Sequence, residues 1–218
     1  MAETNVLAKK FHVITKYIQS REQAAESNST VQLIKTAELS ALKIHYRDIA
    51  ALIDAGYLEK VKQGCYKVVF SKEISEPSEA SIIASLFPDG VLCMYTALFY
   101  YGYSDRTPLS WDIAIDRDTS KARFKIDYPY VQPYYMKPEH LTYGITTAEY
   151  EDCHMQIFDR DRLICECIKN ENKMDRESYN KAIQGYVADS KKSIVNLLSY
   201  AKKRNIAVKV KDRIGVWL

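Results

Sequence analysis

The hydrophobic period of this chain switches repeatedly between helical and strand spacing, and that restricts its fold more than any single motif does. As far as residue 55 the apolar residues recur at helical spacing. Phe11, Ile14 and Ile18 mark one stripe, with Val13 and Tyr17 alongside, and Ile49, Leu52 and Ile53 mark another. Further helices are predicted over 78–87 and 92–101, separated by Pro88-Asp89-Gly90. From 110 to 158 the pattern shortens to the β-favouring runs "WDIAI", "FKIDY", "YVQPYYM", "GITTAEY" and "HMQIF". Helices then return over 160–169, 175–188, 190–204 and 209–216, the first with Asp159 as its N-cap. Helices, then strands, then helices predict an α+β fold rather than a parallel α/β sheet.

The segment 45–68, "HYRDIAALIDAGYLEKVKQGCYKV", is the most specific part of the pattern. A short helix over 36–39, with Thr36 as N-cap and Glu38 near its positive end, precedes a turn at 41–43 and a helix over 44–55 stopped by Gly56. Two short strands hinged at Gly64 follow, with Leu58, Val61, Tyr66 and Val68 on the packing side and Lys60, Lys62 and Lys67 projecting. This order predicts a winged helix-turn-helix. The opening turn of the second helix of the motif would then enter a major groove, Arg47 reading guanine while His45 or Tyr46 touches a base edge or phosphate. Lys35, Thr36, Lys43 and the three lysines of the hairpin complete the expected DNA-binding set, the lysines neutralising phosphates. A solvated lysine face, or a module that contacts protein, is the plainer alternative.

Charge is uneven along the 218 residues. Residues 1–70 carry 10 Lys+Arg against 7 Asp+Glu, a net +3; residues 71–168 carry 9 against 16, a net −7; residues 169–218 carry 12 against 5, a net +7. Neither basic part is a like-charge block, so neither is a disordered tail. No apolar run reaches the ~20 residues of a membrane span, and "MAETNVLAKKF" lacks the apolar core of a secretion signal, so a cytoplasmic location is expected. The five cysteines are odd in number and scattered, which predicts reduced thiols. Polar linkers are expected at 24–32 and 71–79. The second sets the predicted domains at 1–74 and 75–218.

Catalytic patterns are weak. Asp112, Asp116 and Asp118 fall in one strand region, but without the Gly-Ser turn and the acid pair two apart on the strand that nucleotidyl transfer by two metal ions needs. Cys165 and Cys167 are two apart on a predicted helix, about 200° around its axis, so they cannot face one zinc. No phosphate loop, dinucleotide fingerprint or nucleophile elbow is present. Neither an enzyme nor a bound cofactor or metal is expected.

Several stretches resemble the AbiEi-type antitoxins of type IV toxin–antitoxin systems, named for abortive-infection phage defence. They are "GYLEKVKQGCYKV", "MYTALFYYGYSDRTPLSWDIAI", "YYMKPEHLTYGIT" and, most sharply, "IFDRDRLICECIKNENKMDRESYNKAIQGYV" over 157–187. The last is similar to that family's strand–helix signature, with Leu163 where the family has Thr and Glu166 or Cys167 near its Asp. The resemblance implies an N-terminal winged helix that binds inverted repeats in the protein's own promoter. It also implies a C-terminal domain that counteracts a nucleotidyltransferase toxin encoded next door. Two other functions are compatible with the residues: a regulator whose second domain senses a ligand or partner, and a metal-dependent nuclease or nucleotidyltransferase using the three aspartates.

Overall fold

A computed structural model describes residues 2–24, 33–69, 78–150 and 153–215. The predicted boundary at 74/75, and most of both predicted linkers, lie outside the described residues. The architecture is α+β with two separate sheets. By internal contacts the chain divides into two compact units, the first made of 1–88, 125–129 and 149–153, the second of 89–124, 130–148 and 154–218.

In the first unit, α1 (Ala2–Ala24) is longer than its apolar stripe, and β1 (Leu33–Lys35) leads into α2 (Thr36–Ala41). Leu42 and Lys43 turn the chain into α3 (Tyr46–Asp54), followed by β2 (Leu58–Lys62) and β3 (Cys65–Val68). The sheet runs β1-β3-β2, antiparallel throughout. β1 is an unforeseen element, three residues being too few to show a period. Thr36 is the first residue of α2 rather than its cap. The N-cap is Lys35, whose N–H donates to Glu38 Oε2 at 2.7 Å. Ile14, Ile18, Ile34, Leu39, Ile49, Leu52, Leu58, Tyr66 and Val68 form one buried core. Gly64 holds the β2–β3 turn at φ 75°, a left-handed conformation that other residues adopt at a cost. The unit also contains α4 (Glu79–Leu86), capped by Ser78, whose hydroxyl accepts the Ser81 N–H at 3.2 Å.

The second unit is built on a five-stranded mixed sheet in the order β6-β5-β4-β8-β7. These are β4 (Val91–Leu92), β5 (Trp111–Asp116), β6 (Val131–Met136), β7 (Ile145–Tyr150) and β8 (Cys153–Phe158), the last two residues of β7 and the first of β8 being counted with the first unit. β4 pairs antiparallel with β5 and parallel with β8, and β5 pairs parallel with β6. Pro133 sits in β6 at the sheet's edge, where a missing N–H is tolerated. The run "FKIDY" does not form the expected strand. Phe124 closes a 3-10 turn, and only Ile126 makes an isolated bridge, to Lys62, just before Pro129, which has no N–H to donate.

Among the described residues five α-helices complete this unit: α5 (Met94–Tyr100), α6 (Arg160–Lys169), α7 (Arg176–Ala188), α8 (Ile194–Lys203) and α9 (Ala207–Ile214). Asp159 caps α6, accepting the Arg162 N–H at 2.7 Å. α6 packs against α5, α7, α8 and α9, and all of Asp161 to Ile168 is buried. Asp161, Arg162 and Glu166 are therefore inside. Glu166 accepts both Nε and Nη2 of Arg204, at 2.6 and 2.9 Å, and Nη2 of Arg162 at 2.8 Å. The Arg162 guanidinium also lies 4.4 Å from the Tyr143 ring centroid and 4.8 Å from that of Phe158. Gly144 makes room for it: a Cβ there would come within 2.7 Å of Arg162 Cβ. All five cysteines are free and buried. Among the described residues no helix is long and apolar enough to cross a membrane.

Candidate nucleic-acid interface

The nine residues expected to meet DNA fall into groups set by the first unit's local geometry. Lys35, Thr36 and Lys62 gather at the β2–β3 turn. Lys35 and Lys62 are both register partners of Cys65, from opposite sides, and the Thr36 N–H donates to the Gly64 carbonyl at 2.9 Å. Burial pushes the Cys65 thiol up, against the opposing pull of these two lysines. Lys43, at φ 60°, His45, Tyr46 and Arg47 form the second group, on the turn before α3 and its first turn. Lys60 and Lys67 lie on the neighbouring strands β2 and β3.

Exposure separates the set. Lys35, Thr36, Lys43, His45, Tyr46, Arg47 and Lys60 are exposed, Tyr46 by 83%. Lys62 and Lys67 do not project as the alternation suggests. Lys62 is half-buried with its ammonium 6.0 Å from the Phe87 ring centroid, and Lys67 is half-buried, 3.5 Å from Glu59 on the adjacent strand. Among the described residues Lys43, Tyr46, Arg47 and Lys60 make no side-chain hydrogen bond or ion pair. Their reach is uncommitted.

The start of α3 is held from behind. The His45 N–H donates to Asp48 Oδ2 at 3.1 Å, and Asp48 pairs with Lys10 of α1. The Lys10 ammonium and the His45 N–H keep the Asp48 carboxyl below its ordinary range. Glu38 does the same for α2. It receives Tyr17 Oη at 2.9 Å and Arg21 Nη1 at 3.1 Å from α1, besides the Lys35 N–H. Sequence reasoning placed Glu38 near a helix end but missed Lys10 and Asp48 as positioning groups. Their capping spacing, His45 to Asp48, was the available signal.

The three aspartates weighed as a catalytic cluster do not converge. Asp112 and Asp116 stand at opposite ends of β5, about 13 Å apart along a strand, and the Asp118 side chain is 81% exposed beside Arg117. Among the described residues no group of three His, Cys, Asp or Glu is arranged to hold a metal. Asp112 is unlike the others: it is 2% exposed and accepts the Tyr95 N–H at 2.9 Å and the Ser110 hydroxyl at 3.3 Å. Burial pushes its carboxyl up to about 6, against those two hydrogen bonds.

Comparison of the chain with protein-family models and with curated proteins finds no match.

Proposed function

We propose that the protein binds double-stranded DNA at its own promoter through an N-terminal winged helix-turn-helix, residues 1–74. We further propose that it acts as the antitoxin and autorepressor of a type IV toxin–antitoxin system in the cytoplasm, its larger domain, 75–218, counteracting a nucleotidyltransferase toxin. The observation that carries the DNA reading is the first turn of α3. A helix whose Ile49 and Leu52 are buried presents an 83% exposed tyrosine and an unpaired arginine at its N-terminal end. Recognition helices contact base edges with that end, and arginine is the commonest reader of guanine. In this reading α2, the Leu42–Lys43 turn and α3 are the helix-turn-helix, and β2 and β3 are the wing. Antitoxicity rests on the resemblance of 157–187 to the AbiEi signature.

Arg47→Ala is expected to cost about 1–3 kcal/mol of operator binding and to relax base preference at one position. Lys60→Ala is expected to weaken binding to all sequences alike and to lower the salt slope by about 1. Gel shifts on the promoter DNA across a salt series measure both. Unchanged operator affinity in Arg47→Ala would remove the recognition-helix assignment. Co-expression with the neighbouring toxin tests the other half: Arg47→Ala should still protect cells, since repression and neutralisation are assigned to different domains.

A further inference from the structure

We infer that a cavity in the second unit is a binding site for a guanidinium group. The inference stands apart from the DNA-binding reading and uses none of its residues. The cavity, open to solvent on one side, has a volume of about 420 Å³, within the range of small-ligand sites. Asp112 lines it from the start of β5, Tyr95 from α5, Gln132 and Tyr134 from β6, and Asp175 from the cap of α7.

Asp112 is the reason to expect a cation. Buried carboxylates are as a rule paired with a positive charge, because desolvation of an unpaired one is costly. Here both hydrogen-bond donors to the carboxylate, the Tyr95 N–H and the Ser110 hydroxyl, are neutral. Among the described residues no Lys, Arg or His stands within ion-pair distance of it. Arg106, the cation on the cavity's lining, is paired with carboxylates other than Asp112. It pairs with Glu177, and its Nη1 lies 3.9 Å from Asp175. An anionic ligand is therefore excluded from the Asp112 side by charge.

The walls choose among cations. Tyr95 and Tyr134 bring two aromatic rings to the same cavity, and the Tyr134 hydroxyl makes no hydrogen bond among the described residues. Asp175 lines the same cavity and accepts the Tyr95 phenol at 3.4 Å. A bare metal ion leaves the rings unused and lacks the usual three protein ligands. A guanidinium uses all of the surroundings. Its planar edge matches a carboxylate with two parallel N–H donors, its face stacks on a tyrosine ring, and its remaining N–H groups reach a hydroxyl acceptor.

Calorimetric titration of the full-length protein tests this with three probes: agmatine, N-acetyl-arginine methylamide, and the citrulline analogue of the latter as a neutral isostere. Agmatine is expected to bind, with the citrulline compound at least about tenfold weaker, the effect of losing one charge-assisted hydrogen bond. If the capped arginine binds as well as agmatine, the site accepts an arginine side chain of a protein. If only agmatine binds, the ligand is a small free guanidine. Asp112→Asn, which keeps the acceptor for Tyr95, should weaken agmatine about tenfold or more, and Tyr134→Leu about threefold or more. Absence of binding by all three probes at millimolar concentration overturns the inference. Equal binding of the citrulline compound, or unchanged affinity in Asp112→Asn, does so as well.

Discussion

Glu166→Gln is expected to destabilise the second unit by about 3–5 kcal/mol, the usual consequence of removing one member of a buried ion pair. Glu166 and the Arg162 side chain are fully buried, and the Arg204 side chain is 7% exposed. One carboxylate therefore offsets two guanidinium groups away from water. Glutamine keeps the shape but leaves both cations uncompensated, and its amide nitrogen turns a donor toward donors. Arg162 has no slack to absorb the change, since its Nε and Nη1 already lack partners among the described residues. Glu166→Asp should recover part of the loss, because the charge remains while the shorter side chain cannot reach both arginines. Urea unfolding followed by tryptophan fluorescence measures this directly. Trp111 lies in β5 of the second unit, so its fluorescence follows that unit. A loss below about 1 kcal/mol would mean that the network is dispensable.

Asp112→Asn should act in the opposite direction and stabilise the protein near pH 7.5 by about 3 kcal/mol. That figure is the free-energy equivalent of a carboxyl pKa of about 6 in the fold against the ordinary 3.8. The folded state holds this proton more tightly than the unfolded chain does. Stability from this group is therefore greatest near pH 4, falls as pH rises through about 6, and stays reduced above it. Asparagine mimics the protonated acid at every pH. The gap between variant and wild type should thus be wide at pH 7.5 and close near pH 4. A gap that does not change with pH would show that the carboxyl titrates normally. Taken with the guanidinium inference, this variant should be the more stable protein and the poorer binder, as expected where a buried charge is kept for a ligand.

Much of the helical framework was legible because its signals are local. Asp159 and Asp175 announce α6 and α7 by side chains that reach N–H groups three residues on. Gly56 and Gly64 mark the ends of α3 and the hairpin turn, both at φ 75°. β1 and β4 were not legible, since three and two residues carry no period. "FKIDY" has strand composition, yet only Ile126 makes a bridge. The residues proposed to face DNA were readable as a pattern, but the half-burial of Lys62 and Lys67 depends on Phe87 and Glu59, which alternation does not reveal. Burial of charge was the least visible property. Arg204 lies 38 positions from Glu166, and Asp112 looks like Asp116 and Asp118 until the sheet places it.

Val91 and Leu92 set a timetable for making this protein. They form the middle strand of the second sheet, yet one of their partners, Gln156 and Ile157 of β8, lies 65 residues further along (91 to 156). At a synthesis rate of about 5–20 residues per second, that partner arrives roughly 3–13 s after β4 is made. β5 comes earlier and can cover one flank, leaving the other flank as a row of unpaired backbone groups beside apolar side chains. For several seconds of every synthesis, the centre of the finished sheet is an open edge.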